Sequence, residues 1–167
     1  MVPGIGRDGG VSADEMSSRG SSQEGEESRM KNKELIGLLN QAIELEHQAY
    51  LQYYYQSLHL KGMETAPLRA MLATEADAEL GHAKALAERV VALGGEPSMK
   101  IAPVKIGKTP KEMIRYNLDR EAKAIALYRK IVKLLHGTQG FELVYVLVLR
   151  ILGDELNDVE EFEAFLD

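Results

Sequence analysis

The chain has 167 residues, and its 26 acidic against 20 basic side chains give a formal charge of −6 with no basic cluster, which argues against a surface that neutralises nucleic-acid phosphates. The absence of cysteine removes disulfides, thiolate metal sites and cysteine nucleophiles together. No apolar run approaches the roughly 18 residues of a membrane span, and the N-terminus lacks the basic-then-apolar layout of a secretion signal, so a cytoplasmic protein with no membrane or nucleic-acid partner is expected.

Residues 1–30 hold six Gly, six Ser and six acids against three Arg. Such a stretch buries too little apolar surface to offset the entropy of ordering, which predicts a disordered acidic tail. The alternative is that Met30 is the natural start and the stretch before it is not native. Residues 31–167 suffice for one domain core.

From there the punctuation is regular. A helical polar/apolar pattern over 32–61 stops at Gly62. A second, over 67–93, is opened by Pro67 and closed by Gly94-Gly95. A third, over 110–136, starts at Thr109-Pro110-Lys111-Glu112, which supplies an N-cap, Pro at the first helical position and an acid three residues on, and it stops at Gly137. A fourth covers 140–166. The glycines stand where left-handed helix caps belong. At 1.5 Å per residue each helix is roughly 40 Å long, a length suited to an elongated bundle. Short links at 62–66 and 137–139 make antiparallel neighbours, whereas 94–109, with Pro97, Pro103 and Gly107, is long enough to run the length of the bundle. The expected fold is all-α, a four-helix bundle of two antiparallel hairpins joined by a long crossover.

Within the fourth segment, Leu143-Val144-Tyr145-Val146-Leu147-Val148-Leu149 has no polar face, and a buried strand competes with helix there. Helix is favoured because no other segment would pair with a lone strand. A helix apolar all round needs cover on its outer side, so at least a dimer is expected.

Acids interrupt the apolar stripes. Glu46 lies amid Leu39, Ile43, Tyr50 and Tyr53; Glu79 and His82 lie between Leu72 and Leu86; Glu121 lies between Leu118 and Ile125; Glu155 and Asp158 lie between Leu152 and Phe162. An unpaired buried carboxylate is costly, so four inward acids, one per helix and near one level, call for a counter-charge. The spacing Glu79-x-x-His82 places carboxylate and imidazole on one face a turn apart, as two ligands of one ion require. Glu from two helices with Glu-x-x-His from the other two marks di-iron and di-manganese carboxylate bundles. Here the second pair reads Glu155-x-x-Asp158. A shift of 75 lays Glu46 on Glu121 and Tyr53 on Tyr128, and a shift of 76 lays Glu79 on Glu155, as two similar hairpins would. Taken alone Glu-x-x-His is commonly a solvated pair; the joint pattern favours metal. Glu75, a turn before Glu79, is either an entry-path acid or a surface residue. Tyr53 and Tyr128 are placed either to hydrogen-bond a ligand carboxylate or to pack in the core, and Tyr53 is the catalytic candidate. His47, His59 and His136 fall off the inward stripes and read as surface residues.

These stretches, Leu39 to Tyr53, Glu79 to Ala83, the helix end at Leu93 to Pro97, Asn117 to Lys123 and Ile151 to Asp158, resemble the ferritin-like superfamily, most of all its bacterioferritin and Dps-like branch. The resemblance implies that Glu46 and His82 ligate one iron ion and Glu121 the other, with Glu79 and Glu155 bridging. It implies a ferroxidase that oxidises Fe(II) with dioxygen or peroxide in iron storage or in protection from oxidative stress. A homo-oligomer is implied as well, a dimer at least and up to a dodecamer or larger cage. Three departures stand out. Asp158 replaces the second His of bacterioferritins; Leu80 replaces their haem-binding Met, so no haem is expected; and about a dozen residues after Glu155 leave no room for their short fifth helix.

Oxygen-rich ligands with one imidazole suit iron, or manganese in a catalase or other di-metal oxidase on the same bundle; a metal-free helical scaffold is the remaining alternative. Without metal the buried acids should show raised pKa values and shared protons. Five carboxylates against two divalent ions leave a charge of −1, and Asp158 is short. The Glu46–His82 position is therefore expected to fill before the Glu121–Asp158 position.

Overall fold

The computed structural model describes residues 13–166, with side-chain placements from residue 25 onward apart from Glu27. The described elements are four helices: α1 (Ala13–His59), α2 (Ala66–Ala92), α3 (Pro110–Leu135) and α4 (Glu142–Ala164). Among the described residues there is no strand, so the apolar run 143–149 is helical. No helix there is long and apolar enough to cross a membrane.

The chain divides at Glu34–Leu35 into two compact units. In the first, residues 1–12 of the expected tail lie outside the described residues, while the backbone from Ala13 is helical. The first helix thus starts well before residue 32, where the apolar pattern begins. Periodicity marks only the part of a helix that packs, and this extension carries no apolar stripe to read.

The second unit, Leu35–Asp167, is the bundle. Gly62, Gly94 and Gly137 all take positive φ, 93°, 79° and 70°, the left-handed conformation expected after a helix end. Thr109 caps α3 by accepting from the Glu112 backbone N–H at 3.2 Å, with Pro110 at the first position. Glu112 in turn accepts from the Lys108 N–H.

Two apolar layers make the core. One joins Leu35, Leu39 and Ile43 of α1 to Leu86 and Val90 of α2, Tyr128, Ile131 and Leu135 of α3, and Val144, Val148 and Ile151 of α4. The other joins Ala49, Tyr53 and Leu60 to Leu68, Leu72, Met113, Ile114 and Phe162. The end of α1 thus meets the starts of α2 and α3, and the end of α3 meets the start of α4, which gives two antiparallel hairpins. The crossover, residues 93–109, runs back along α1. Asn40, Glu44, His47, Gln48, Gln52 and Gln56, a polar stripe repeating about every turn, bond to it from Glu96 to Lys105. These contacts satisfy backbone groups that have no ladder of their own.

Candidate metal centre

Between the two apolar layers lies a polar one. Ile43 and Ala49 bracket Glu46, Ala76 and Leu86 bracket Glu79 and His82, Ile114 and Ala124 bracket Glu121, and Ile151 and Phe162 bracket Glu155 and Asp158. All six side chains are buried. Glu46, Glu79, His82 and Glu155 offer ligand atoms that all lie within 4.8 Å of one another, and so do Glu79, Glu121 and Asp158. The inward stripes therefore bring together all five acids read as ligands in the sequence, in two groups that share Glu79.

The imidazole of His82 is held at both nitrogens. Nδ1 lies 3.1 Å from Glu79 Oε2 and 3.4 Å from Glu155 Oε1, while Nε2 lies 3.2 Å from Asp154 Oδ2. Asp154, half exposed at the rim, escaped the sequence reading because it lies beside the inward stripe of α4. Both tyrosines bond to carboxylates across the bundle, Tyr53 Oη donating to Glu121 and Tyr128 Oη to Glu46. Tyr53 also packs edge-on against Phe162, so it serves the core as well.

The unforeseen member is Arg120. It is 1% exposed and its guanidinium stands inside the box. Nη1 donates to Glu79 at 2.8 Å, Glu121 at 2.6 Å and Glu155 at 2.7 Å, and Nη2 donates to Glu46 at 2.8 Å. Its position was legible in principle, since the buried row of α3 runs Met113, Asn117, Arg120, Ala124, Tyr128, Ile131 and Leu135. A charged residue in such a row is read as surface unless its partners are known. Arg120 also corrects the charge count, because five carboxylates with one guanidinium carry −4.

The guanidinium reshapes the acid–base behaviour. Burial pushes Glu79 and Glu121 well above the usual carboxylate range although Arg120 opposes it, and burial with Glu75 and Glu155 nearby pushes Asp158 up to about 8. These three follow the expectation of raised values. Glu46 departs from it: burial alone would raise it, but Arg120, with Glu79 and His82 beside it, holds it down at about 2. For His82, burial disfavours the cation, yet the carboxylates of Glu155, Glu46 and Glu79 around it push it up to about 12. Glu75 is half-buried at the rim and raised, first by burial and then by Glu161. His59 and His136 are exposed, and His47 faces Lys100 O, away from the box.

The donor set fits a hard divalent ion at one end. Four side chains of the first group converge, and Glu155 Oε1, fully buried, accepts no hydrogen bond among the described residues. Arg120 takes one oxygen of Glu46, Glu79 and Glu155 here and of Glu79 and Glu121 at the other end, which has no imidazole. Leu80 lines a shallow apolar groove with His47, Tyr50, Leu51, Met99 and Ile101 on the outer side of the same hairpin.

A model of the ferritin-like domain matches residues 36–167. The sequence is similar to the bacterioferritin of Desulfovibrio desulfuricans, 30% identical over 134 residues that cover 80% of this chain and 74% of that protein. It is also similar to a bacterial ferritin of Synechocystis, 29% identical over 131 residues, 77% of this chain and 83% of that one. A solved ferritin-like, diiron-carboxylate protein of Bacillus anthracis superposes with a TM-score of 0.77 at 30% identity, over 82% of this chain and 98% of its own.

Proposed function

The chain belongs to the ferritin-like family, and on that premise we propose that its mid-bundle box binds Fe(II) and promotes its oxidation by dioxygen or peroxide, in iron storage or protection from oxidative stress. The observation that carries this reading is the convergence of Glu46, Glu79, His82 and Glu155, all buried, on one point. Glu121 and Asp158 complete the set around a second position. Bound iron supplies the electrons, one per ion, to the oxidant.

The rest is the work of this chain's residues. His82 offers Nδ1 once it gives up its proton there, while Asp154 holds the Nε2–H and so fixes the ring. Tyr128 and Tyr53 orient Glu46 and Glu121, and Tyr53 is the candidate to meet the reacting atoms. The apolar layers on either side exclude water and strengthen each charge interaction between them. Manganese suits the same ligands. Leu80 offers no haem ligand, so haem is not part of the reading. The outward Leu143, Val146 and Leu149 of α4 are exposed, which supports a homo-oligomer.

One observation favours the metal-free scaffold instead. Arg120 already pairs with a Glu of every helix, which gives the four glutamates a counter-charge without an ion. Anaerobic addition of Fe(II) to the full chain, followed by oxidant and the rise of ferric absorbance, separates the two. The proposed function expects turnover well above that of iron in buffer and its loss in Glu79→Gln; turnover equal to that of buffer favours the scaffold.

A further inference from the structure

The carboxylate box already contains a cation, and the two ends of the box differ in what it leaves free. One guanidinium takes an oxygen from Glu46 of α1, Glu79 of α2, Glu121 of α3 and Glu155 of α4. At the His82 end, Glu155 Oε1 accepts no hydrogen bond among the described residues, and Glu79 Oε2 is paired with His82 Nδ1, so an imidazole nitrogen and two carboxylate oxygens remain outside the hold of Arg120. At the Asp158 end, Arg120 holds Glu79 Oε1 and Glu121 Oε2, and Tyr53 takes Glu121 Oε1. Arg120 likewise takes one oxygen of Glu46, Glu79 and Glu155 at the His82 end, but that end keeps an imidazole and a free oxygen of Glu155. At the Asp158 end, Asp158 alone lies outside the hold of Arg120 and Tyr53, and Glu79 is shared with the other group.

We propose that Arg120 is a built-in cation standing in for the second metal ion, so that the chain holds one divalent ion at the His82 end and admits none at the Glu121–Asp158 end while the guanidinium is in place. The inference rests on the reading of the box as a metal centre. A divalent ion and a guanidinium contending for the same carboxylates repel one another strongly in a dry interior. Arg120 Nε has no acceptor among the described residues, so the carboxylates, with the centre of the Tyr53 ring 5.9 Å from Arg120 Cζ, hold the group where it is. The asymmetry expected from the short arm of Asp158 thereby has a different and stronger cause.

The test counts ions with a redox-inert probe. Metal-free full-length protein is titrated anaerobically with Co(II), the bound ions are counted after desalting, and their positions are read by anomalous diffraction. The parent chain is expected to hold one ion per chain in the box, beside His82. Arg120→Gln should hold two, with Co(II) raising its melting temperature more than the parent's. Asp158→His with Arg120 retained should still hold one. Should Arg120→Gln fold only with metal, it is purified in Co(II) and counted as isolated. Two ions in the parent box, or a second ion brought by Asp158→His alone, overturn the role of Arg120 and leave the metal centre standing. No ion in the box of either the parent or Arg120→Gln overturns the metal reading itself.

Discussion

His82 Nε2 lies 3.2 Å from Asp154 Oδ2, so a rim carboxylate fixes the ring whose other nitrogen faces the box. Asp154 is about half exposed, and a pair of that kind contributes little to stability, about 1 kcal/mol or less. Its effect belongs to ligand orientation. Asp154→Asn is expected to leave the melting temperature nearly unchanged while weakening binding of the first divalent ion about 10- to 100-fold, read by competition with a chromogenic chelator. Unchanged affinity would show that His82 is held by the box alone.

Glu46 and Arg120 form a fully buried pair at 2.8 Å. Removing one partner of such a pair costs about 3–5 kcal/mol, because the other is left buried and less compensated. Three further carboxylates still face Arg120, so Glu46→Ala in metal-free protein is expected at the lower end, about 3 kcal/mol. Urea unfolding of the chelated protein measures it, and a gain in stability would contradict the pairing.

The stability of the metal-free protein should fall as the solution becomes alkaline. Asp158 is raised from 3.8 to about 8 by burial first, then by Glu75 and Glu155. An acid raised on folding contributes fully below its unfolded pKa, and the contribution is lost as pH rises through the folded one. Glu79 and Glu121 act in the same direction. His82, lifted to about 12, loses its contribution at still higher pH. Glu46 works oppositely, its contribution being present above 4.5 and lost as pH falls toward about 2. In EDTA the melting temperature is therefore expected to decline from about pH 5 to about pH 9, with Asp158→Asn flattening part of the decline. A rise across that window would contradict the assignment.

The bundle was legible because each of its helices carries its own punctuation. Pro110 with Thr109 and Glu112, and the glycines after each hairpin helix, are local signals that local chemistry obeys; the expected 110–136 stands at Pro110–Leu135 and 67–93 at Ala66–Ala92. The start of α1 was not, since residues before Leu35 show no apolar stripe to read. In the site, acids on apolar stripes stand out against their neighbours, which is why Glu46, Glu79, Glu121 and Glu155 were visible. Arg120 did not stand out, because a burial that depends on four partners from four helices is tertiary information. Asp154 faces the rim, where an acid is ordinary.

The apolar run of α4 divides cleanly. Val148 is buried at 0% exposure, whereas Leu143 and Val146 are 73% and 65% exposed. Val148→Asp places an unpaired charge in the core and should cost more than about 4 kcal/mol or prevent folding. Val146→Asp should leave the melting of the monomer near the parent's but lower the mass seen by light scattering. An assembly unchanged in Val146→Asp would place the oligomer contact elsewhere.

The central claim is that the polar layer is a metal centre, and iron-edge anomalous diffraction from crystals soaked anaerobically with Fe(II) tests it most directly. The expected result is a peak within the box beside His82, bounded by Glu46, Glu79 and Glu155. Iron confined to the protein surface, with Arg120 still bonded to all four glutamates, would contradict it.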